Sequence, residues 1–332
     1  MDPVTQGALG AAFAQLKGPN AKLSIAALLG AASGMAADLD VLIRSSTDPL
    51  LALQFHRHFT HSLLFIPFAA LICASVFYWS LGRRWGLQFR AVLIWSALGY
   101  STHALLDGCT SYGTQLFWPL SNTRYSWDII SVVDPLFTLP LLVGVLISIK
   151  TAKRFALIIS LVWCGFYLGL GAVQHHRAVT IGEGIALQRG HEPARVEAKP
   201  SFGNLVVWKT VYEHGDRFYI DAVKPGFSSP SIWPGDSIEK LKAEDFAWLG
   251  ADSQQQKDIA RFDWFSAGFT ALSPEDPHQI VDVRYSMLPQ DIDPLWGIRI
   301  KPDAHQDEHV EYFTSRGDSD TALRKLLSMI FE

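Results

Sequence analysis

The sequence predicts a membrane α-helical bundle of five to six helices followed by a water-soluble α+β domain, and three observations predict it. The 332 residues are 49% hydrophobic and only 18% charged, with a mean hydropathy of +0.15. Ordinary soluble domains carry about 25% charge, so one soluble globule is excluded. The charge is also split: residues 1–175 hold 11 Lys and Arg against 7 acidic residues, whereas residues 176–332 hold 17 against 25. Finally, the long apolar runs all fall in the first stretch, so the expected domains are a transmembrane part, 1–175, and a polar part, 176–332. Neither part has the concentrated basicity of a nucleic-acid binder; the expected partner is the lipid bilayer.

A spanning helix needs roughly 20 mostly apolar residues. Leu23 to Ile43, Ser62 to Leu81, Ala91 to Leu106, Ile129 to Ile149 and Phe155 to Val173 approach or meet that length. Pro3 to Leu16 is rich in small residues and short for a full span, and is expected as a sixth, packed or half-inserted helix. Cytoplasmic loops are enriched in Lys and Arg. The loops holding Lys17/Lys22, Arg83/Arg84/Arg90 and Lys150/Lys153/Arg154 are therefore expected inside. The less basic loops near 44–59 and 108–128, and everything after about residue 175, are then expected outside. The opening Met1-Asp2-Pro3 has no basic stretch of a cleavable signal peptide, so export is expected to use the internal spans.

In the polar half, Asn204 to Val223 reads as a hairpin around His214-Gly215-Asp216. Ser237 to Leu249 and Asp320 to Phe331 read as amphipathic helices, and 262–271, 279–287, 296–301 and 308–314 as strands. Cys73, Cys109 and Cys164 all lie in the apolar half, so the polar half has no disulfide framework.

The ionisable residues of the apolar half carry the chemistry. It contains no Glu, and its Asp and His residues fall at or near the end of each helix assigned to the outer face. Carboxylates at membrane depth are costly and mark functional positions. They gather in four patterns: Asp38-Leu39-Asp40, His56-Arg57-His58-Phe59-Thr60-His61, His103 with Asp107, and Asp128 with Asp134. The i,i+4 spacing puts His103 and Asp107 on one helical face. Taken singly, each pattern has a structural explanation; Asp134 ahead of Pro135, for example, fits a helix N-cap. Together they are best balanced by a cation, and imidazole with carboxylate suits Zn, with Mn the alternative. The expected metal ligands are Asp40, His56, His61, His103 and Asp107. Asp38 and Asp128 are expected to complete the shell or act as general base. Thr60, with Ser62, Ser111, Tyr112 and Gln115, is expected to position substrate, and Arg57 and Arg124 to neutralise a phosphate.

The segments M-D-P-V-T-Q-G-A-L-G-A at 1–11, A-D-L-D-V-L at 37–42, H-R-H-F-T-H-S-L-L-F at 56–65, G-Y-S-T-H-A-L-L-D-G-C-T-S-Y-G-T-Q-L-F-W-P at 99–119 and Y-S-W-D-I-I-S-V-V-D-P-L-F-T-L-P-L-L at 125–142 resemble the YdjM-type family of inner-membrane-associated metal-dependent hydrolases. The resemblance implies a bacterial inner-membrane protein and a divalent metal. It places the family's metal positions on Asp38, Asp40, His56, His61, His103 and Asp107. His58 stands where that family usually has Gly and Ala37 where it has Pro, and neither change removes a ligand; Gln6 stands where His is frequent, so it is at best a hydrogen-bonding member of the site.

The expected function is a membrane-bound metal-dependent hydrolase working at the outer interface on a phosphoester or a lipid-linked envelope substrate. The alternative is a scaffold stapled by a structural metal. No H-E-x-x-H helix or G-x-S-x-G elbow occurs.

Overall fold

The computed structural model describes residues 1–315 and 317–331. The chain divides into two compact units. The first comprises residues 1–43, 55–172 and 202–204, the second residues 44–54, 173–201 and 205 onward.

The first unit is helical. Helix α1 (Pro3–Lys17) starts where the Asp2 carboxylate accepts from the Val4 and Thr5 amides, filling donors that a helix start leaves unpaired. Helix α2 (Leu23–Met35) runs on into a 3-10 helix, Ala36–Leu42. After the one-turn α3 (Leu51–Phe55) come α4 (Ile66–Phe77), α5 (Phe89–Gly108), α6 (Pro135–Thr151) and α7 (Phe155–Gln188). Asn20–Leu42, Leu63–Gly82 and Phe155–Gln188 are long and apolar enough to cross a membrane, and α6 is apolar but shorter. Asp134 does cap α6, accepting from Leu136 and Phe137.

Glycines set how closely the ligand-bearing helices approach. A Cβ on Gly10 would stand 2.4 Å from the Gly30 carbonyl oxygen, and one on Gly99 2.3 Å from the same oxygen. Helices α1, α2 and α5 therefore meet backbone to backbone at small residues, as apolar surroundings favour.

The second unit is α+β. Strands β1 (Arg195–Pro200), β2 (Trp208–His214), β3 (Arg217–Lys224) and β4 (Ser231–Glu239) form one antiparallel sheet in sequence order. Helix α8 (Gln254–Phe265) precedes a second antiparallel sheet of β5 (Thr270–Leu272), β6 (Gln279–Asp282), β7 (Trp296–Arg299) and β8 (Glu311–Thr314), and α9 (Ser319–Phe331) follows. Val211, Phe218 and Ile220 of one sheet share a core with Ala271 and Val281 of the other and with Phe269 just ahead of β5. Ile259 and Phe262 of α8 pack with Ile280 and Ile298, and Leu326 and Met329 of α9 with Val207 and Ala222.

Two expected elements are corrected. Ser237 to Leu249 is not a helix: Ser237, Ile238 and Glu239 pair with Tyr219, Phe218 and Arg217, and that ladder outweighs local helical periodicity. Residues 262–265 end α8 rather than begin a strand. Ser253 caps the helix through Gln256, and Ile259, Phe262 and Phe265 recur at helical, not alternating, spacing.

Residues 44–54, read from sequence as a bare loop, are built into the second unit. Leu50, 2% exposed, joins Phe246, Ile259 and Phe262. Asp48 accepts both Arg261 guanidinium nitrogens at 3.1 and 2.9 Å.

Lys209 of β2 is buried, donating to Ser286 Oγ and the Asp291 carbonyl at 2.8 Å each. Burial pushes its pKa down to about 7. The unfolded chain keeps that proton to about pH 10.4. Between those limits the unfolded state binds more protons, so stability rises with pH. The fluorescence-detected melting temperature is expected to climb from about pH 7 to pH 9 through this group. Lys209→Met should flatten the climb; an unchanged slope refutes the assignment.

Candidate metal centre

Four donor atoms converge in the first unit: Asp38 Oδ1, His61 Nε2, His103 Nε2 and Asp107 Oδ2. The 3-10 helix after α2 supplies Asp38, the His-rich loop supplies His61, and the last turns of α5 supply His103 and Asp107. His61 Nε2 lies 3.5 Å from Asp38 Oδ1 and 3.3 Å from Asp107 Oδ2. His103 Nε2 lies 3.3 and 3.8 Å from the same two oxygens, and 2.9 Å from His61 Nε2. A tetrahedral ion with bonds of about 2.0–2.1 Å separates its donors by roughly 3.3–3.4 Å. Three of these distances lie close to that edge, whereas the 2.9 and 3.8 Å pairs must open and close respectively to hold one ion.

The hydrogen bonds around the set orient it. His103 Nδ1 donates to the Gly34 carbonyl, which leaves the Nε2 lone pair facing the other donors. On its other side His61 Nδ1 meets Thr60 Oγ1 at 3.0 Å and Asp40 Oδ2 at 3.3 Å. Asp107 Oδ1 accepts from Gln6 Nε2 at 2.9 Å and meets the Met1 amino group. Asp107 Oδ2 is buried, makes no hydrogen bond and has only ion-pair contacts, with Arg57 Nε at 3.1 Å among them. That oxygen is balanced by charge instead, from Arg57 and from His61 Nε2 at 3.3 Å. His61 lies outside the spans. Burial alone lowers its basicity, but Asp107, Asp38 and Asp40 outweigh that and hold it up at about 10. The carboxylates thus draw positive charge to this point.

The remaining expected residues separate by what they touch. Asp40 is the hub of the His-rich loop, accepting from the Arg57 amide at 3.0 Å and Thr60 Oγ1 at 2.9 Å, with His56 Nδ1 2.9 Å away. Asp38, Asp40 and His56 form a second group of nearby donors. Thr60 Oγ1 thus links Asp40 to His61. Arg57 does not face an open phosphate site: it is 3% exposed, and its guanidinium is held by Asp107 and by Thr110 Oγ1 at 2.8 Å. A guanidinium enclosed by one carboxylate has its charge already balanced. Asp128 falls in neither donor group and accepts from Ser126 Oγ at 3.3 Å. His58 packs among the rings of Phe55, Phe59 and Trp118, and Ser62 donates to the Trp118 carbonyl. Sequence reading missed the Gly34 carbonyl, since a backbone acceptor leaves no residue-type signal.

A family model described as YdjM inner membrane protein matches residues 1–178. Inner membrane protein YbcI of Escherichia coli K12 is 41% identical over 85 residues, covering 23% of this chain and 44% of that protein. Uncharacterized protein YfhP of Bacillus subtilis 168 is 26% identical over 104 residues, 31% of each chain. The chain thus spans less than half the length of these relatives. No solved structure matches.

Proposed function

The chain belongs to the YdjM inner membrane protein family, and from that premise we propose a membrane-bound, metal-dependent hydrolase whose site lies at the outer ends of the spanning helices. The observation that carries this reading is the convergence of Asp38, His61, His103 and Asp107, whose donor atoms all lie within 4.8 Å of one another.

Those four residues hold the ion, with Zn favoured by the two imidazoles and Mn the alternative. When bound, a divalent ion would supply Lewis acidity, and would acidify a water to a pKa of about 7 only where one of the four donors yields its position. Asp40, Thr60 and the Gly34 carbonyl keep the two imidazoles in the ligating tautomer and orientation. Arg57 and Gln6 fix the Asp107 carboxylate. A site near the ends of spans suits a lipid-linked or other envelope phosphoester. Purified protein screened against phosphomonoesters, phosphodiesters and lipid-linked phosphates should cleave at least one class, with activity lost in His103→Ala. Full metal content with no turnover on any class favours the scaffold reading, to which four protein donors also lend support.

The excess of Lys and Arg in the alternate loops supports an extracytoplasmic polar domain. The grouping of residues 44–54, a loop expected on the outer face, with the second unit lends the same reading support. A phosphatase reporter fused after residue 331 is expected to be active outside the cytoplasm; a cytoplasmic signal reverses the orientation.

A further inference from the structure

Phe227 is 110% exposed, the most of any large apolar side chain among the described residues. Apolar residues exposed singly need no explanation, but this one does not stand alone. It sits in the connection between β3 and β4, and residues 225–235 carry no charged side chain while adding Ile232, 40% exposed, and Trp233. The rest of the polar half is dense in charge, with 17 basic and 25 acidic residues over 176–332. Phe331, 83% exposed, lies at the same end of the sheet, because Lys224 Nζ, just ahead of the connection, donates to the Ile330 carbonyl at 2.8 Å.

We infer that this connection is a membrane anchor of the second unit: residues 225–230, with Phe331 beside them, dip into the headgroup boundary of a phospholipid bilayer. The inference is independent of the hydrolase reading and of which face of the bilayer the polar domain occupies.

Helix α7 sets the depth. Residues 155–173 hold no charged side chain, and at 1.5 Å per residue they extend about 28 Å, close to the thickness of a bilayer's hydrocarbon. Arg177 is the first charged residue after Arg154. It follows the apolar run by four positions, about 6 Å, which is within the headgroup layer. Its guanidinium donates to the Gly226 carbonyl and to Gln174 Oε1, so the residue next to Phe227 is tied to the helix at that level. Arg177 and Gly226 both belong to the second unit, and the tie lies within one compact body. Arg177 and Lys224 donate to neutral oxygens, which leaves their positive charge for headgroup phosphates. Phe227, uncovered by protein at this level, moves apolar surface out of water by entering the boundary, as interfacial anchors do.

The test reconstitutes the full chain in vesicles of phosphatidylethanolamine and phosphatidylglycerol, with a nitroxide label at Phe227→Cys, Phe331→Cys or Asp216→Cys. Asp216 is 79% exposed, in the turn at the opposite end of the sheet. Cys73, Cys109 and Cys164 are buried, and the labelled parent supplies the background. Circular dichroism verifies that each variant keeps the helical content of the parent. Power saturation in electron paramagnetic resonance compares collisions with oxygen, which concentrates in lipid, and with a water-soluble nickel chelate. Oxygen access should exceed nickel access at Phe227→Cys and Phe331→Cys, and the order should reverse at Asp216→Cys. Nickel access at Phe227→Cys equal to that at Asp216→Cys overturns the anchor. Shielding of the Phe227→Cys label from both reagents also overturns it, and dipolar coupling between labels on two chains then identifies a second copy as the cover.

Discussion

His61→Ala is expected to leave the purified protein without its transition metal, and hydrolysis should fall with it. His61 gives Nε2 to the buried set and Nδ1 to Asp40 and Thr60, so its loss removes a ligand and unties the loop that holds Asp40. The drop in metal affinity should exceed the roughly 10–100-fold that follows loss of an outer hydrogen-bond partner. Thr60→Val should fall within that smaller range, because it removes only such a partner. Elemental analysis after gel filtration in detergent distinguishes the two. Stoichiometric metal retained in both His61→Ala and Asp107→Ala would discard the site.

Gly99→Val should be as damaging without touching a ligand. A Cβ there would sit 2.3 Å from the Gly30 carbonyl oxygen and 2.9 Å from the Gly30 Cα, so α5 must move away from α2. His103 and Asp107 ride on α5 one and two turns further along, and Asp38 follows α2. The cost should exceed the roughly 1–3 kcal/mol of an ordinary overpacked core site, because backbone offers no alternative rotamer. Expected results are a lower melting temperature and loss of bound metal together. Gly165→Val, at a helical position with no neighbour within 4 Å of the added carbon, is the control and should change neither.

Much of the fold was legible because its signals are local. Three of the five apolar runs marked helices long and apolar enough to cross a membrane, the turn at Gly215 with its positive φ marked the β2–β3 hairpin, and the pattern around Leu326 marked α9. The misread stretches around 237–249 and 262–265 depend on partners distant in sequence. Ser237 to Glu239 become strand because β3 offers a ladder. Phe262 and Phe265 belong to a helix because Ser253 starts one upstream.

The candidate site divides on the same principle. The sequence by itself determined which side chains are expensive to place near a membrane, that they recur at one end of successive helices, and that His103 and Asp107 share a face; composition and the 3.6-residue period suffice for that. Only the tertiary structure decided that Asp38 stands in both donor groups, that Arg57 is enclosed by Asp107 and Thr110, and that residues 44–54 belong to the polar unit. Those outcomes depend on how near separate backbones come, and that distance is set by contacts such as Gly30 against Gly99, between residues far apart in the chain.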